Sequence, residues 1–432
     1  MRFFVVVSII LVLLAAPIVF GLLALQSFPN VETPRTVKAA NAQQAKAVLK
    51  RFRDAFKTNT QQRKISVSED ELNSVMLFAA RAIPSFRGDA AVAPSAIRLA
   101  ASLKPPRLPG GKWLNLNVTV QPSRQGLEIA AIRLGRFDLP PQLVRPLLTF
   151  AMDMALGDDL GTLAVDGVSE VSVRKRTVVI GLNISPRIRE TLLARSKSRL
   201  RTDSGFGNEA EVRGYLAAIH DAAVAGQLPR KGSFTPYLRF AFDRAQKRGL
   251  GGDSAVEMRS ATLALAIYCG LRKLEILVGK VVPEGLKIQN SHCRSVTLGG
   301  RGDLRQHFIV SAVLKMASDR GMAFAIGEFK ELLDANKGGS GFSFDDVAAD
   351  LAGIRFATTL FAQNNGGGGV QPELLQMMGR EKAVFPKITD LPSRMPEKEF
   401  TRRFGGVDTP AYVAMIRKIE QRIDVLPFNV VQ

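Results

Sequence analysis

Arg301–Phe356 reads RGDLRQHFIVSAVLKMASDRGMAFAIGEFKELLDANKGGSGFSFDDVAADLAGIRF. Its spacing predicts three helices. Asp303 is placed to cap a helix from Leu304, in which Leu304, His307, Phe308 and Ser311 share one face by i, i+3, i+4, i+7 spacing. Gly327, Lys330, Glu331 and Asp334 repeat that spacing in a second helix, which Gly338 and Gly339 end. In the third, Ser343 caps, Asp346 takes the third helical position, and Asp346, Ala349, Asp350 and Gly353 form the row. The opposite sides are apolar: Ile309, Val310, Phe324, Ile326, Leu332, Leu333, Val347 and Leu351. Ser311, Gly327 and Gly353 are small enough to let helices approach closely. The expectation is a helical bundle meeting around His307, Glu331, Asp334 and Asp350.

A histidine with two or three carboxylates on facing helices suits a divalent metal such as Zn, Mn or Fe. The same groups suit general acid–base chemistry, with His307 as base and a carboxylate orienting it. His307, Glu331, Asp334 and Asp350 are therefore the candidate catalytic or metal-ligating residues. Lys330 is a possible counter-charge, and Asp346 and Gly353 complete the pattern. A purely structural reading competes. Asp303, Ser343 and Asp346 are explained by capping, and Lys330, Glu331 and Asp334 by solvated charge or an ion pair with Arg305. HFIVSA, GEFKELLD and SFDDVAADLAG, in that order, resemble the YfiM-like envelope lipoproteins and, more distantly, VanZ-like membrane proteins. The resemblance singles out His307, Phe308, Lys330, Glu331, Asp334, Asp346, Asp350 and Gly353. It points to the cell envelope and supplies no reaction. The chain has no G-x-S-x-G elbow, no H-E-x-x-H and no phosphate-binding P-loop. His220 and His292 stand alone in the sequence, as do the aromatics Trp113 and Tyr237.

Upstream, Ser254–Val278 reads as one long helix whose apolar part, Ala261–Leu271, belongs to a core. Downstream, Asn364–Gly369 is a Gly-rich break, followed by a polar, Pro-punctuated tail whose last helix, Ala411–Ile423, packs back. Residues 201–363 are thus expected to be a helical domain and 364–432 its tail. Residues 64–200 read differently. Leu114, Leu116, Val118 and Val120 alternate with polar residues, the period of a half-buried strand. Leu127–Leu134 is its expected partner. Val171–Val173 and Val178–Ile184 form a second hairpin about Arg174, Lys175 and Arg176, and Pro141 opens a helix ending near Gly157. Ser68 with Glu71 is a capping box, stapled by Val67 and Leu72, for a helix ending at Pro84. SVSEDELNSVM and LGRFDLPPQLVRPLL resemble the YpmS-like family of anchored envelope proteins over residues 65–185. That resemblance implies an anchored, extracytoplasmic α+β domain.

Phe3–Leu25 is uncharged and strongly apolar, and longer than the about 20 residues a membrane-spanning helix needs. Residues 1–26 are accordingly expected to be an uncleaved signal anchor with the bulk of the chain on the extracytoplasmic, periplasmic side. Residues 27–63 would be a stalk and a basic amphipathic helix, Val37–Lys57, with Ala45, Val48, Leu49, Phe52 and Phe56 on its apolar face. The expected fold class is an α+β membrane-proximal domain, then an all-α distal domain, with one N-terminal transmembrane helix. Lys and Arg number 59 against 39 Asp and Glu, a net charge of +20. On an exported protein this favours anionic lipid head groups or acidic envelope polymers over nucleic acid. Cys269 and Cys293 suit either a disulfide or a buried thiol pair. The functional expectation is an envelope scaffold or a binder of anionic lipid, polymer or another envelope protein. The alternative is an envelope hydrolase or metal-dependent enzyme at His307.

Overall fold

The alternating run around Leu116 becomes the inner strand of a large antiparallel sheet. The computed structural model describes residues 23–32, 36–57, 62–105, 111–156, 159–183, 206–251, 253–282, 292–317, 340–363 and 370–430, with single residues 186, 190, 326, 327 and 330. These form two compact units, divided near residue 192, with residues 36–39 belonging to the second.

In the first unit, β1 (Leu25–Gln26), β3 (Phe86–Ala93), β4 (Ala96–Leu103), β5 (Trp113–Gln121), β6 (Glu128–Leu134) and β7 (Phe137–Asp138) make one sheet, ordered β3-β4-β5-β6-β7 with β1 also on β5. A second sheet holds β2 (Gln62–Ser68), β9 (Thr177–Asn183) and β8 (Val168–Arg174), in that order. Val92, Ile97 and Val120 of the first sheet pack on Val171 and Val178 of the second. α1 (Ala39–Lys57) lays Val48 and Ala55 against Ile65, Val67 and Leu182. α2 (Glu69–Ala82) starts at the expected capping box: the Ser68 hydroxyl accepts from the Glu71 N–H, and the Glu71 carboxylate accepts from the Ser68 N–H. The side chains of α2 cover the free edge of β3. Asn73 bonds both the N–H and the C=O of Ala90 at 2.8 Å, and Glu69 accepts from the Val92 N–H at 2.8 Å. That satisfies backbone groups which an open edge would present to other strands. α3 (Pro141–Leu156) and the short α4 (Leu160–Asp166) connect the two sheets.

The second unit contains α5 (Glu209–Val224), α6 (Thr235–Gly249), α7 (Ser254–Leu265), α8 (Gly302–Ala317), α9 (Phe344–Gln363), α10 (Pro372–Met378), α11 (Glu381–Val384), α12 (Glu397–Phe404), α13 (Pro410–Asp424) and α14 (Pro427–Val430). α8 and α9 form its centre. A Cβ on Gly353 would lie 2.0 Å from the Phe308 carbonyl oxygen, so these two backbones touch only because residue 353 has no side chain. Phe342, Phe344, Phe400, Phe404 and Tyr412 build an aromatic cluster at the start of α9, and Phe356 stacks on Phe428 at 4.7 Å. Residues 370–430 therefore supply core as well as a covering helix.

The expected fold class needs two corrections. The distal part is not all-α. β10 (Lys231–Ser233) and β11 (Ser295–Thr297) pair in parallel, and Glu381 ties them by accepting from the Ser233 hydroxyl and the Gly299 N–H. Three residues per strand are too few to show a period, so KGS and SVT carry no strand signal of their own. The molecule is thus mixed α/β in both units. Nor is the expected N-terminal transmembrane helix supported: among the described residues no helix is long and apolar enough to cross a membrane. Residues 1–22 lie outside the description, and the end of the apolar run is a strand. Leu25 pairs with Leu114, and Ala24 is fully buried against Gly135. The stalk expected from residue 27 also begins inside the fold. Buried Asn115 accepts from the Asn30 N–H at 3.0 Å and the Ser102 hydroxyl at 2.6 Å, and donates to the Phe28 carbonyl at 2.9 Å.

Smaller differences have local causes. The helix expected over Ser254–Val278 stops at Leu265, widens into a π turn at Ala266–Gly270 and resumes as a 3₁₀ turn at Arg272–Leu277. Cys269 in that turn is disulfide-bonded to Cys293. Ala261–Cys269 is nevertheless buried throughout, as its apolar composition predicts. Leu49 lies on the outer face of α1, 59% exposed, instead of the apolar face. The Gly-rich stretch 364–369 lies outside the described residues.

Candidate functional site

Asp346 and Asp350 are one turn apart on α9, so both face α8. His307, one turn before Ser311 on α8, projects between them. Its Nδ1 lies 3.1 Å from Asp350 Oδ1, and its Nε2 lies 3.6 Å from Asp346 Oδ2. The first distance is a hydrogen bond; the second is an ion-pair approach. The Ser311 hydroxyl donates to the same Asp350 oxygen at 2.6 Å. Arg301, just before α8, donates to Asp346 at 2.8 Å, to Asp345, and through two nitrogens to Asp303 at 3.0 and 2.6 Å. His307, Asp346 and Asp350 are each at least nine-tenths buried.

Charge alternates along this row. Burial alone would disfavour the imidazolium of His307. The charge and hydrogen bond of Asp350, with the charge of Asp346, outweigh burial and raise its pKa to about 9, against an opposing push from Lys330. Burial raises Asp346 to about 6, opposed chiefly by His307 and Arg301. The hydrogen bond to Asp303 holds the Arg301 guanidinium protonated. The row therefore runs carboxyl, imidazole, carboxyl, guanidinium, with the cationic form of the imidazole favoured. A cationic imidazole with a carboxylate at each nitrogen is a tie between helices, and it cannot take a proton in that state.

The candidate residues are distributed unevenly. His307 and Asp350 meet as expected. Gly353 makes the close approach of α8 to α9. Gly327 is buried over Asp350, where a Cβ would sit 2.6 Å from Oδ2. That oxygen has no hydrogen-bond partner among the described residues. Lys330 is exposed. Glu331 and Asp334 lie outside the described residues. Asp346, assigned to capping by its position, instead joins the charged row. Asp303 lies inside the first turn of α8, since the helix begins at Gly302. Ser343 does stand just before α9, with its carbonyl accepting from the Val347 N–H and its hydroxyl from the Arg394 N–H. Among the described residues Arg305 pairs with no carboxylate: it donates to the carbonyls of Cys293 and Val296. No group of three or more His, Cys, Asp or Glu is arranged to hold a metal ion among the described residues. The geometric reason at His307 is that its two nitrogens point at different carboxylates and share no common focus.

Arg301 and Asp345 escaped the sequence reading; the Arg-x-Asp opening and the Asp-Asp pair were the available signal. His220 and His292, isolated in sequence, converge on Tyr268. Their rings are 6.4 Å apart, and His220 Nδ1 lies 3.4 Å from the tyrosine hydroxyl. No local pattern foretells that meeting. No family model, curated protein or solved structure matches the chain, so the resemblances of residues 301–356 and 65–185 rest on their motifs alone.

Proposed function

We propose that this protein is a cell-envelope binder of anionic lipid or acidic polymer. The observation that carries this reading is the outer face of α1. Lys46, Leu49, Lys50 and Arg53 are all exposed and fall on one stripe by i, i+3, i+4, i+7 spacing. They are the local expression of a net charge of +20. Clustered cations attract an anionic surface by about 1 kcal/mol each. The Cys269–Cys293 disulfide suits an oxidising compartment, which favours the extracytoplasmic side. In this reading the His307 row is an internal tie.

The test is flotation of the full chain with vesicles of phosphatidylglycerol or of phosphatidylcholine, at low and high salt, beside retention on soluble polyglutamate. Binding should require the anionic lipid or polymer, weaken with salt, and fall stepwise in Lys46→Glu, Lys50→Glu and Arg53→Glu. Equal binding to both lipids at low salt, with no retention of polyglutamate, would end the proposal.

A second reading makes the site at His307, with Asp350 and with Glu331 and Asp334, that of a hydrolase or metal-dependent enzyme. The contact between His307 and Asp350 favours it. Elemental analysis decides the metal form: one bound Zn, Mn or Fe per chain, lost in His307→Ala, would place it ahead of the first reading.

A further inference from the structure

α3 carries an apolar face that the described residues of its unit leave exposed. Leu143, Leu147 and Phe150 are 49%, 42% and 62% exposed, and they follow one another at i, i+4 and i+7. They therefore form one continuous row along the helix. Pro146 lies exposed beside them, while Val144, about a quarter-turn round the helix from the row, is only 2% exposed and anchors the helix to its unit. Single exposed leucines are ordinary on a protein surface; an aligned row ending in a phenylalanine marks a contact surface.

What covers this row is indicated by where it lies and by the charge of the chain. The most apolar run of the sequence, Phe3–Leu22, joins the described structure at Leu23, which is 57% exposed, and at Ala24. The Ala24 carbonyl lies against Gly135, where a Cβ would be only 2.1 Å from its oxygen. Gly135 is in the turn into β7, and β7 leads directly to Pro141 at the start of α3. Arg136 is exposed in that same turn. Long arginine stems can lie along an apolar surface while the guanidinium stays at the level of head groups. A protein of net charge +20 is drawn to an anionic surface.

We propose that α3 is an interfacial helix that lies in the surface of an anionic lipid bilayer, with Leu143, Leu147 and Phe150 inserted at the boundary between head groups and acyl chains. This deepens the binding reading above and rests on it: α1 supplies attraction, α3 the apolar seat. An amphipathic helix in that position buries its apolar face about 5–10 Å deep, parallel to the membrane plane.

The experiment uses the full chain carrying Trp113→Phe and Phe150→Trp, which moves the one tryptophan of the sequence onto the row. Trp113→Phe alone serves as the folding control. Vesicles contain phosphatidylglycerol and phosphatidylcholine, with or without bromine on the acyl chains. The expected result is a blue shift of the emission on adding vesicles and its quenching by the brominated lipid. In a companion variant, Leu147→Ser with Phe150→Ser, vesicle binding should weaken most at high salt while retention on polyglutamate is unchanged. A bound protein whose tryptophan is neither shifted nor quenched overturns the proposal and leaves the binding reading standing. A blue shift without lipid that grows with protein concentration assigns the face to a second copy and also overturns it. Failure to bind anionic vesicles or polyglutamate at low salt removes both.

Discussion

His307 is a cation at neutral pH because two carboxylates outweigh its burial. Its pKa rises from 6.5 in the free state to about 9 in the fold. The stability it contributes is therefore complete below about 6.5 and is lost as pH rises through about 9. Asp346, raised by burial to about 6, acts in the same sense at lower pH, since its folded form holds a proton longer than the unfolded chain does. His307→Gln should flatten the fall in the urea midpoint between pH 6.5 and 9 and cost about 3 kcal/mol at pH 7, the scale of breaking one partner out of a buried pair. An unchanged slope would mean that another group carries the pH dependence. Gly353 is the second decisive residue. Gly353→Ala forces a methyl to within 2.0 Å of the Phe308 carbonyl oxygen, so α8 and α9 must separate. A loss of about 2 kcal/mol or more is expected from urea unfolding. A neutral result would show that the two helices do not touch there.

At the scale of elements, the signals that reached the structure intact were local ones. The capping box at Ser68, the strand at Leu114–Val120 and the hairpin of β8 and β9 all formed where their residues placed them, although Asn115 of that strand is buried and Leu116 only half-buried. That hairpin turns at Lys175 and Arg176 with φ of 47° and 59°, a left-handed pair that favours Asn-Gly. Replacing both by Asn-Gly should raise the thermal midpoint, by about 1 kcal/mol of added stability. A lowered midpoint would mean that their side chains matter more than their backbone. Ser68→Ala should cost about 1 kcal/mol by removing one half of the capping box. Other elements left no such trace. Phe86–Leu103 is rich in alanine, and its hairpin of β3 and β4 is stabilised by pairing with β5 and by Asn73 of α2. The long helix expected from Ser254 ends early because the disulfide and the approach of Gly270 to Ile309 of α8 reshape its last turns.

At the scale of the molecule, the disulfide between Cys269 and Cys293 closes a loop of 24 residues in the second unit. Cys269→Ser with Cys293→Ser should lower the stability of that unit by about 3 kcal/mol, as loop-closure entropy predicts. Unfolding followed at the two units separately checks this: the first unit should keep its midpoint, and a shift in both would show that the two unfold together. By itself, the sequence determined whatever depends on neighbours within a turn or two: helix caps, the strand at Leu114–Val120, the buried run Ala261–Cys269, and the surplus of cations. Each rests on a short period or a local hydrogen bond, so the residues involved meet in any compact fold. Only the tertiary structure decided the rest. It placed Asp346 against His307, paired the cysteines, joined β10 to β11, drew Leu25 onto β5 and left the row on α3 exposed among the described residues. Those outcomes depend on bringing distant segments together, and chain closure over such distances leaves no periodic mark in the residues it unites.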